Sequence, residues 1–450
     1  MTEHASGTGI EALDNAPYRG TLLIVTILTA IGAFTDSYNQ FTLTGSTFSL
    51  EAYFHTVNSI SVSLALFFIG SLLGALLWGR LADVVGRRLV FVIDLVILAV
   101  FALLSGLIVT NLLELYTFRF IMGLAAGGDY PAALSLLQEF APKKLRGRLN
   151  SVFWLLFLIA AVIGALVGYW TYTIYGISET QWRVTLASGA IPALLGVILR
   201  LGVPESPRWL ALKGKTKEAS DALRRVGHIM VEPDSIKVTK STISDLKLFF
   251  SKQYLTIAIG LVFAVFFVNF TPGTLGTEAP LVLNAFGFSK TFSLIGSVLF
   301  EYIPWVVSGL TVILIGDRVS RVHMFVIGSV GMAIVDFLIL VTRSNIYALA
   351  ASVIAISFLD IFWFNIAMSW AGELYPTRIR GVGAGYGIFL NRTNGALSVF
   401  IGPILLSMFH PTGLFVIYGV LGLMGAIGGF VFLGTRGKTE GKSLEAIGTN

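Results

Sequence analysis

The chain of 450 residues contains no cysteine, which excludes a disulfide framework, thiol chemistry and any cysteine-held metal. Charge is scarce too: Asp, Glu, Lys and Arg supply 12% of residues, about half the share of a soluble domain. An ordinary soluble globule and a highly charged disordered chain are both excluded on that ground. The five histidines are scattered, so no metal cluster is expected. No Gly-x-x-x-x-Gly-Lys-Ser/Thr phosphate loop and no Gly-x-Ser-x-Gly elbow occur, which removes the usual signs of ATP use and of a serine nucleophile. Residues 1–19 lack a basic stretch ahead of a short apolar core, so a cleaved signal peptide is not expected. Neither an enzyme, a catalytic residue nor a cofactor is expected.

What is present in quantity is apolar sequence, 55% of residues, with a mean hydropathy of +0.82. Windows of about twenty apolar residues predict an all-α membrane protein with twelve spans. These are 20–43, 57–80, 88–110, 114–140, 148–172, 183–203, 254–272 with an extension to 286, 291–316, 322–342, 346–374, 381–409 and 411–434. The long polar stretch 204–253, with Lys213, Lys215, Lys217, Arg224 and Arg225, divides two bundles of six, 20–203 and 254–434. Residues 1–19 and 435–450 flank them. Of the 31 Lys and Arg, 26 fall at the termini, in the linker or in loops after even spans; Arg183, Lys290 and Arg343 fall opposite. The excess places both termini and the linker in the cytoplasm, with the chain crossing the cell membrane. The net charge of +6 then reflects orientation in the lipid bilayer, not nucleic-acid binding.

One module is written twice. Asp83 and Arg87 return as Asp317 and Arg321, and Glu139 and Arg146 as Glu373 and Arg380, each 234 residues on. Repeated charges at loop ends between long apolar runs imply two pseudo-symmetric bundles that rock about a central site. The acids and arginines can pair while the cytoplasmic side is shut and part when it opens. Isolated Gly-x-x-x-Gly spacings, such as Gly70 with Gly74, mark close helix packing.

These residues carry a family resemblance. Gly79-Arg80-Leu81-Ala82-Asp83-Val84-Val85-Gly86-Arg87-Arg88 resembles the loop signature of the major facilitator superfamily. Pro204-Glu205-Ser206-Pro207-Arg208-Trp209-Leu210 resembles its motif after the sixth helix, and Glu373-Leu374-Tyr375-Pro376-Thr377 the end of its tenth. The tail Gly441-Lys442-Ser443-Leu444-Glu445 looks like that of the sugar-porter-like branch. The resemblance implies a secondary transporter working as a monomer, with Glu205 and Arg208 added to the cytoplasmic gate.

For the cargo, polar residues inside apolar spans are informative, because each is costly there. Asp36 in the first span and Arg119 in the fourth are expected to form a proton switch, in which Asp36 is protonated on loading and pairs with Arg119 after release. Tyr38 and Gln40 accompany Asp36. Gly127-Gly128-Asp129-Tyr130-Pro131 resembles the fourth-helix signature of proton-coupled phosphate symporters, which implies that Asp129 and Tyr130 line the site and that Asp129 also carries a proton. Asn391-Arg392 in the eleventh span adds a guanidinium suited to phosphate or carboxylate; pairing of Arg392 with Asp360 or Glu301 is the structural alternative. Asn269, Thr274 and Glu278 lie on a Pro-Gly-interrupted seventh helix, and Trp363 and Asn365 on the tenth. The seventh span lacks the Gln-Gln pair of sugar porters, and Trp154 stands near where their fifth-helix Gln would fall. The expectation is therefore proton symport of a small anion, phosphate or an organic carboxylate. A sugar or polyol symporter stands second, and a non-transporting receptor on the same scaffold third. Asp94 and Asp336 have no evident partner in the sequence.

Overall fold

The structure, a computed structural model, describes residues 20–56, 59–140, 146–227, 248–315, 318–375 and 379–437. Nine helices among these residues are long and apolar enough to cross a bilayer; the helices Ser59–Val85 and Leu112–Phe140, and a break that makes two spans of Arg380–Leu433, bring the crossings to twelve.

The first bundle comprises α1 (Gly20–Gly45), α3 (Ser59–Val85), α4 (Arg87–Leu107), α5 (Leu112–Phe140), α6 (Arg146–Tyr175) and a sixth span. That sixth span is α7 (Glu179–Ala187) continued by α8 (Ala190–Arg200), and the short α2 (Thr47–Phe54) connects α1 to α3. Two small helices, α9 (Pro207–Leu212) and α10 (Thr216–Gly227), open the linker. In the second bundle, α11 (Lys252–Leu261) runs through a π turn at Val262–Phe267 into α12 (Phe270–Ala285). Likewise α13 (Lys290–Ser297) passes a π turn at Val298–Tyr302 into α14 (Ile303–Ile315). Then follow α15 (Arg321–Thr342), α16 (Ile346–Glu373) and α17 (Arg380–Leu433). At 54 residues α17 is two spans, because His410 leaves helical geometry (φ 60, ψ 161) just before Pro411. Twelve crossings leave the described ends of the chain and the linker on one side, here the linker end; the opposite side is the loop end.

Small residues set the packing. A Cβ on Gly74 of α3 would stand 2.1 Å from the Leu124 carbonyl oxygen of α5, so only glycine lets these backbones touch. Gly86, between α3 and α4, has φ 103, a conformation that favours glycine. The Glu205 carboxylate accepts the backbone N–H groups of Arg87 (3.0 Å) and Arg88 (3.1 Å), capping α4. Glu205, expected in the cytoplasmic gate, thus ties the linker to the start of α4. Arg321 and Glu373 do form an ion pair, joining the start of α15 to the end of α16 within the second bundle. The side chains of Asp83, Glu139, Arg146, Arg208, Asp317 and Arg380 lie outside the described residues.

Candidate functional site

A cavity of about 120 Å³ lies between the bundles, walled by both. Helical periodicity decides which residues reach it. Gln40 and Phe41 of α1 do so, whereas Tyr38 faces the other way, its hydroxyl 3.0 Å from Ser188 Oγ. Asn269, at the N-cap of α12, and Gly273, Gly276 and Thr277 on it face in. Thr274 turns to the Ser398 carbonyl and Tyr418, and Glu278 accepts a hydrogen bond from Ser61. On α16, Asp360, Phe364 and Asn365 line the wall; Trp363, off that stripe, is fully buried in the core of the second bundle. Tyr130, Asn391 and Arg392 also line it. Of the expected substrate contacts, Gln40, Tyr130, Asn269, Asn365, Asn391 and Arg392 are thus brought together, while Tyr38, Asp129, Thr274, Glu278 and Trp363 are not.

The charges are partnered differently from the expectation. Arg392 donates to Asp36 Oδ2 at 3.0 Å, joining the two bundles, and Tyr130 donates its hydroxyl to the same oxygen. The guanidinium also lies 4.6 Å from the Tyr130 ring centroid and 5.5 Å from that of Phe68. Arg119 is not the partner of Asp36. It reaches α1 nearly one turn closer to the loop end, where it donates to the Asn39 carbonyl at 3.2 Å. Asp129 points away from the cavity, into the first bundle, against Arg200 at 2.5 Å. Its neighbour Tyr130 is rotated by about 100° around α5, which is why one faces the cavity and the other does not.

Several polar atoms of the wall are buried without a hydrogen-bond partner: Gln40 Nε2 and Trp154 Nε1, both donors, and Asp360 Oδ1, an acceptor. Trp154, which stands in the sequence near where a sugar porter's glutamine would fall, can donate its indole N–H from the same region. Phe41, Phe68, Trp154, Trp305 and Phe364 give the cavity aromatic sides. Towards the loop end it is capped where Thr44 donates to the Thr277 carbonyl at 2.7 Å and Phe41 meets Tyr302 edge-on at 4.8 Å. Towards the linker end, Trp154 meets Phe364 edge-on at 5.1 Å across the bundles.

The loop-end closure contains a titratable group. Burial lifts the Glu51 carboxyl, on the connecting helix α2, to about 7, while the Lys290 ammonium of the second bundle pulls it down. Lys290 also sits 5.4 Å from the ring centroid of Phe48 on α2. Parting the loop ends rehydrates the carboxyl and returns it towards 4.5. The closed arrangement then binds this proton more tightly, so closure is favoured as pH falls from about 7 towards 4.5 and that advantage is lost above about 7. The chain lacks cysteine, so spin labels can be placed at Leu113→Cys and Tyr347→Cys, both exposed at loop-end helix starts. Pulsed electron spin resonance should show the short-distance population growing on acidification, and Glu51→Gln should flatten that response.

The profile of the family described as sugar (and other) transporter matches residues 24–450. A Bacillus subtilis (strain 168) protein named for metabolite transport, YwtG, is 30% identical over 399 residues, 84% of each chain. The arabinose-proton symporter of the same organism is 26% identical over 453 residues, 95% of this chain and 94% of its own. Among solved structures, the proton:xylose symporter XylE bound to 6-bromo-6-deoxy-D-glucose superposes with a TM-score of 0.75 at 22% identity, covering 95% of this chain and 98% of its own.

Proposed function

This chain belongs to the sugar (and other) transporter family of the major facilitator superfamily, and we propose that it carries a neutral monosaccharide together with a proton. The observation that carries this reading is the mixed set of unpaired polar atoms on the cavity wall. Gln40 and Trp154 offer donors while Asp360 offers an acceptor, and a sugar hydroxyl both donates and accepts. An organic carboxylate would satisfy only the donors, and phosphate, although its P–OH can donate, would bring net negative charge to a wall that already holds an acid, Asp360. Arg392, the one cation among the described residues lining the cavity, is already paired with Asp36. The anion expected from Arg392 and from the Gly-Gly-Asp-Tyr-Pro run therefore gives way to the sugar that stood second. Amides on four helices, Gln40, Asn269, Asn365 and Asn391, take the place of a Gln-Gln pair on one. The substrates for which the relatives are named, arabinose and xylose, support the same class.

In this mechanism Asp36 is the proton site. Protonation removes its charge, frees Arg392 from an ionic tie between the bundles, and lets them rock about the loaded cavity. Loss of the proton restores the tie. With termini and linker cytoplasmic, the Thr44 to Thr277 contact is the outer gate and the Trp154 to Phe364 contact the inner one, and a monomer suffices.

The test is uptake of labelled xylose into proteoliposomes with an acidic exterior. Saturable uptake, abolished by a protonophore, competed by arabinose and untouched by phosphate or small carboxylates is expected. Competition by phosphate or carboxylates, with none by sugars, would return the assignment to an anion.

A further inference from the structure

Away from the cavity, the first bundle buries a second ionic group. Arg200, the last residue of α8, is fully buried, as is Asp94 of α4, and Asp129 of α5 is 2% exposed. Arg200 Nη1 lies 2.5 Å from Asp129 Oδ1 and 3.5 Å from Asp94 Oδ2. The two carboxyls thus converge on one guanidinium nitrogen. Asp129 Oδ2 is buried without a hydrogen-bond partner, pressed against Gly32 of α1. The remaining contacts of the guanidinium are neutral: carbonyls of Phe91 at 3.1 Å on α4, Thr29 at 2.8 Å and Leu28 at 3.4 Å on α1. Thr26 and Thr29, the polar side chains nearby on α1, are turned onto their own helix.

Two carboxylates against one guanidinium leave an uncompensated negative charge, and a buried carboxyl pair converging on one cation avoids it by holding a proton between them. We propose that Asp94, Asp129 and Arg200 form a second proton-binding site, separate from Asp36, that gives up its proton during the transport cycle. The device for release is the anchorage of Arg200 on α1. Asp36 lies one turn beyond Gly32 on that helix, so the movement that makes or breaks the Asp36 to Arg392 tie also shifts the guanidinium relative to the two acids. Drawn fully between them it neutralises one and half-stabilises the other, and the proton leaves; drawn back, it returns.

The existence of the site is tested by infrared difference spectroscopy on reconstituted protein, with no sugar present. A shared proton predicts one protonated-carboxyl band at neutral pH that disappears in Asp94→Asn and equally in Asp129→Asn, and survives in Asp36→Asn. A band that persists in either of the first two variants, or no such band in the native protein, overturns the proposal. The native spectrum alone decides the second outcome, so it holds even if a variant fails to fold. Release during the cycle, which rests on the sugar-proton reading, is tested by the proton to xylose ratio from equilibrium accumulation at a set pH gradient. That ratio should fall by one in Asp94→Asn, and an unchanged ratio overturns release. Absence of xylose uptake by native protein would refute the substrate, while the spectroscopic arm would still judge the site.

Discussion

Asp36→Asn should abolish proton-driven accumulation of sugar while sparing sugar exchange. Asp36 is 1% exposed, and its Oδ2 receives both the Arg392 guanidinium at 3.0 Å and the Tyr130 hydroxyl. Asparagine matches the shape of the protonated acid but cannot lose a proton, so the substitution freezes the carrier in its loaded electrostatic form. Loaded carriers can still rock, which makes counterflow of labelled against unlabelled xylose continue. Return of the empty carrier requires the ionic tie and is lost. Each proton coupled to a sugar accumulates it about tenfold per pH unit across the membrane, equivalent to about 1.4 kcal/mol; the variant, whose empty form cannot return whatever the second site releases, should only equilibrate label by exchange. Exchange and accumulation lost together would make Asp36 a packing residue, and accumulation retained would move proton coupling elsewhere, with Asp94 and Asp129 first in line.

How much of this was legible in the sequence differs between fold and site for one physical reason. Span number follows from apolar length alone, which is why the twelve crossings could be counted although π turns and a break at His410 blur where single helices end. Small-residue packing was legible too, since Gly70 and Gly74 do press on the backbone of α5. Partnership between charges depends on helix rotation and depth, neither of which span counting supplies. Asp36 and Arg119 lie on neighbouring helices, yet the arginine meets α1 at Asn39 and the acid turns to the second bundle. Arg200 was missed for a related reason. At the end of an apolar run it counted as one more positive charge at the membrane face. The available signal was the two span acids Asp94 and Asp129, which need a cation from somewhere in the same bundle. The anion expectation rests on Arg392 being open to a substrate, and helix rotation instead turns Asp36 onto it.

Arg200→Met should cost more stability than any other single change in the first bundle. Methionine fills similar apolar volume but supplies no donor, so it strands both carboxyls and the carbonyls of Leu28, Thr29 and Phe91 that Arg200 now satisfies. Removing one partner of a buried ionic cluster typically costs about 3–5 kcal/mol. In a bundle whose α1, α4, α5 and α8 all meet at this residue, that should appear as lost yield or a large fall in thermal midpoint in detergent. The origin of the loss is separable. If it arises from stranded charge, adding Asp94→Asn and Asp129→Asn should recover much of it, with a coupling energy on the order of 3 kcal/mol by comparison of the single, double and triple variants. If it arises from stranded carbonyls or from the packing of the guanidinium 4.5 Å from the Phe91 ring centroid, the added substitutions should recover nothing. Charge neutralisation by one shared proton requires the first outcome, because a cluster that already carries no net charge is destabilised by losing its cation and not by losing an acid.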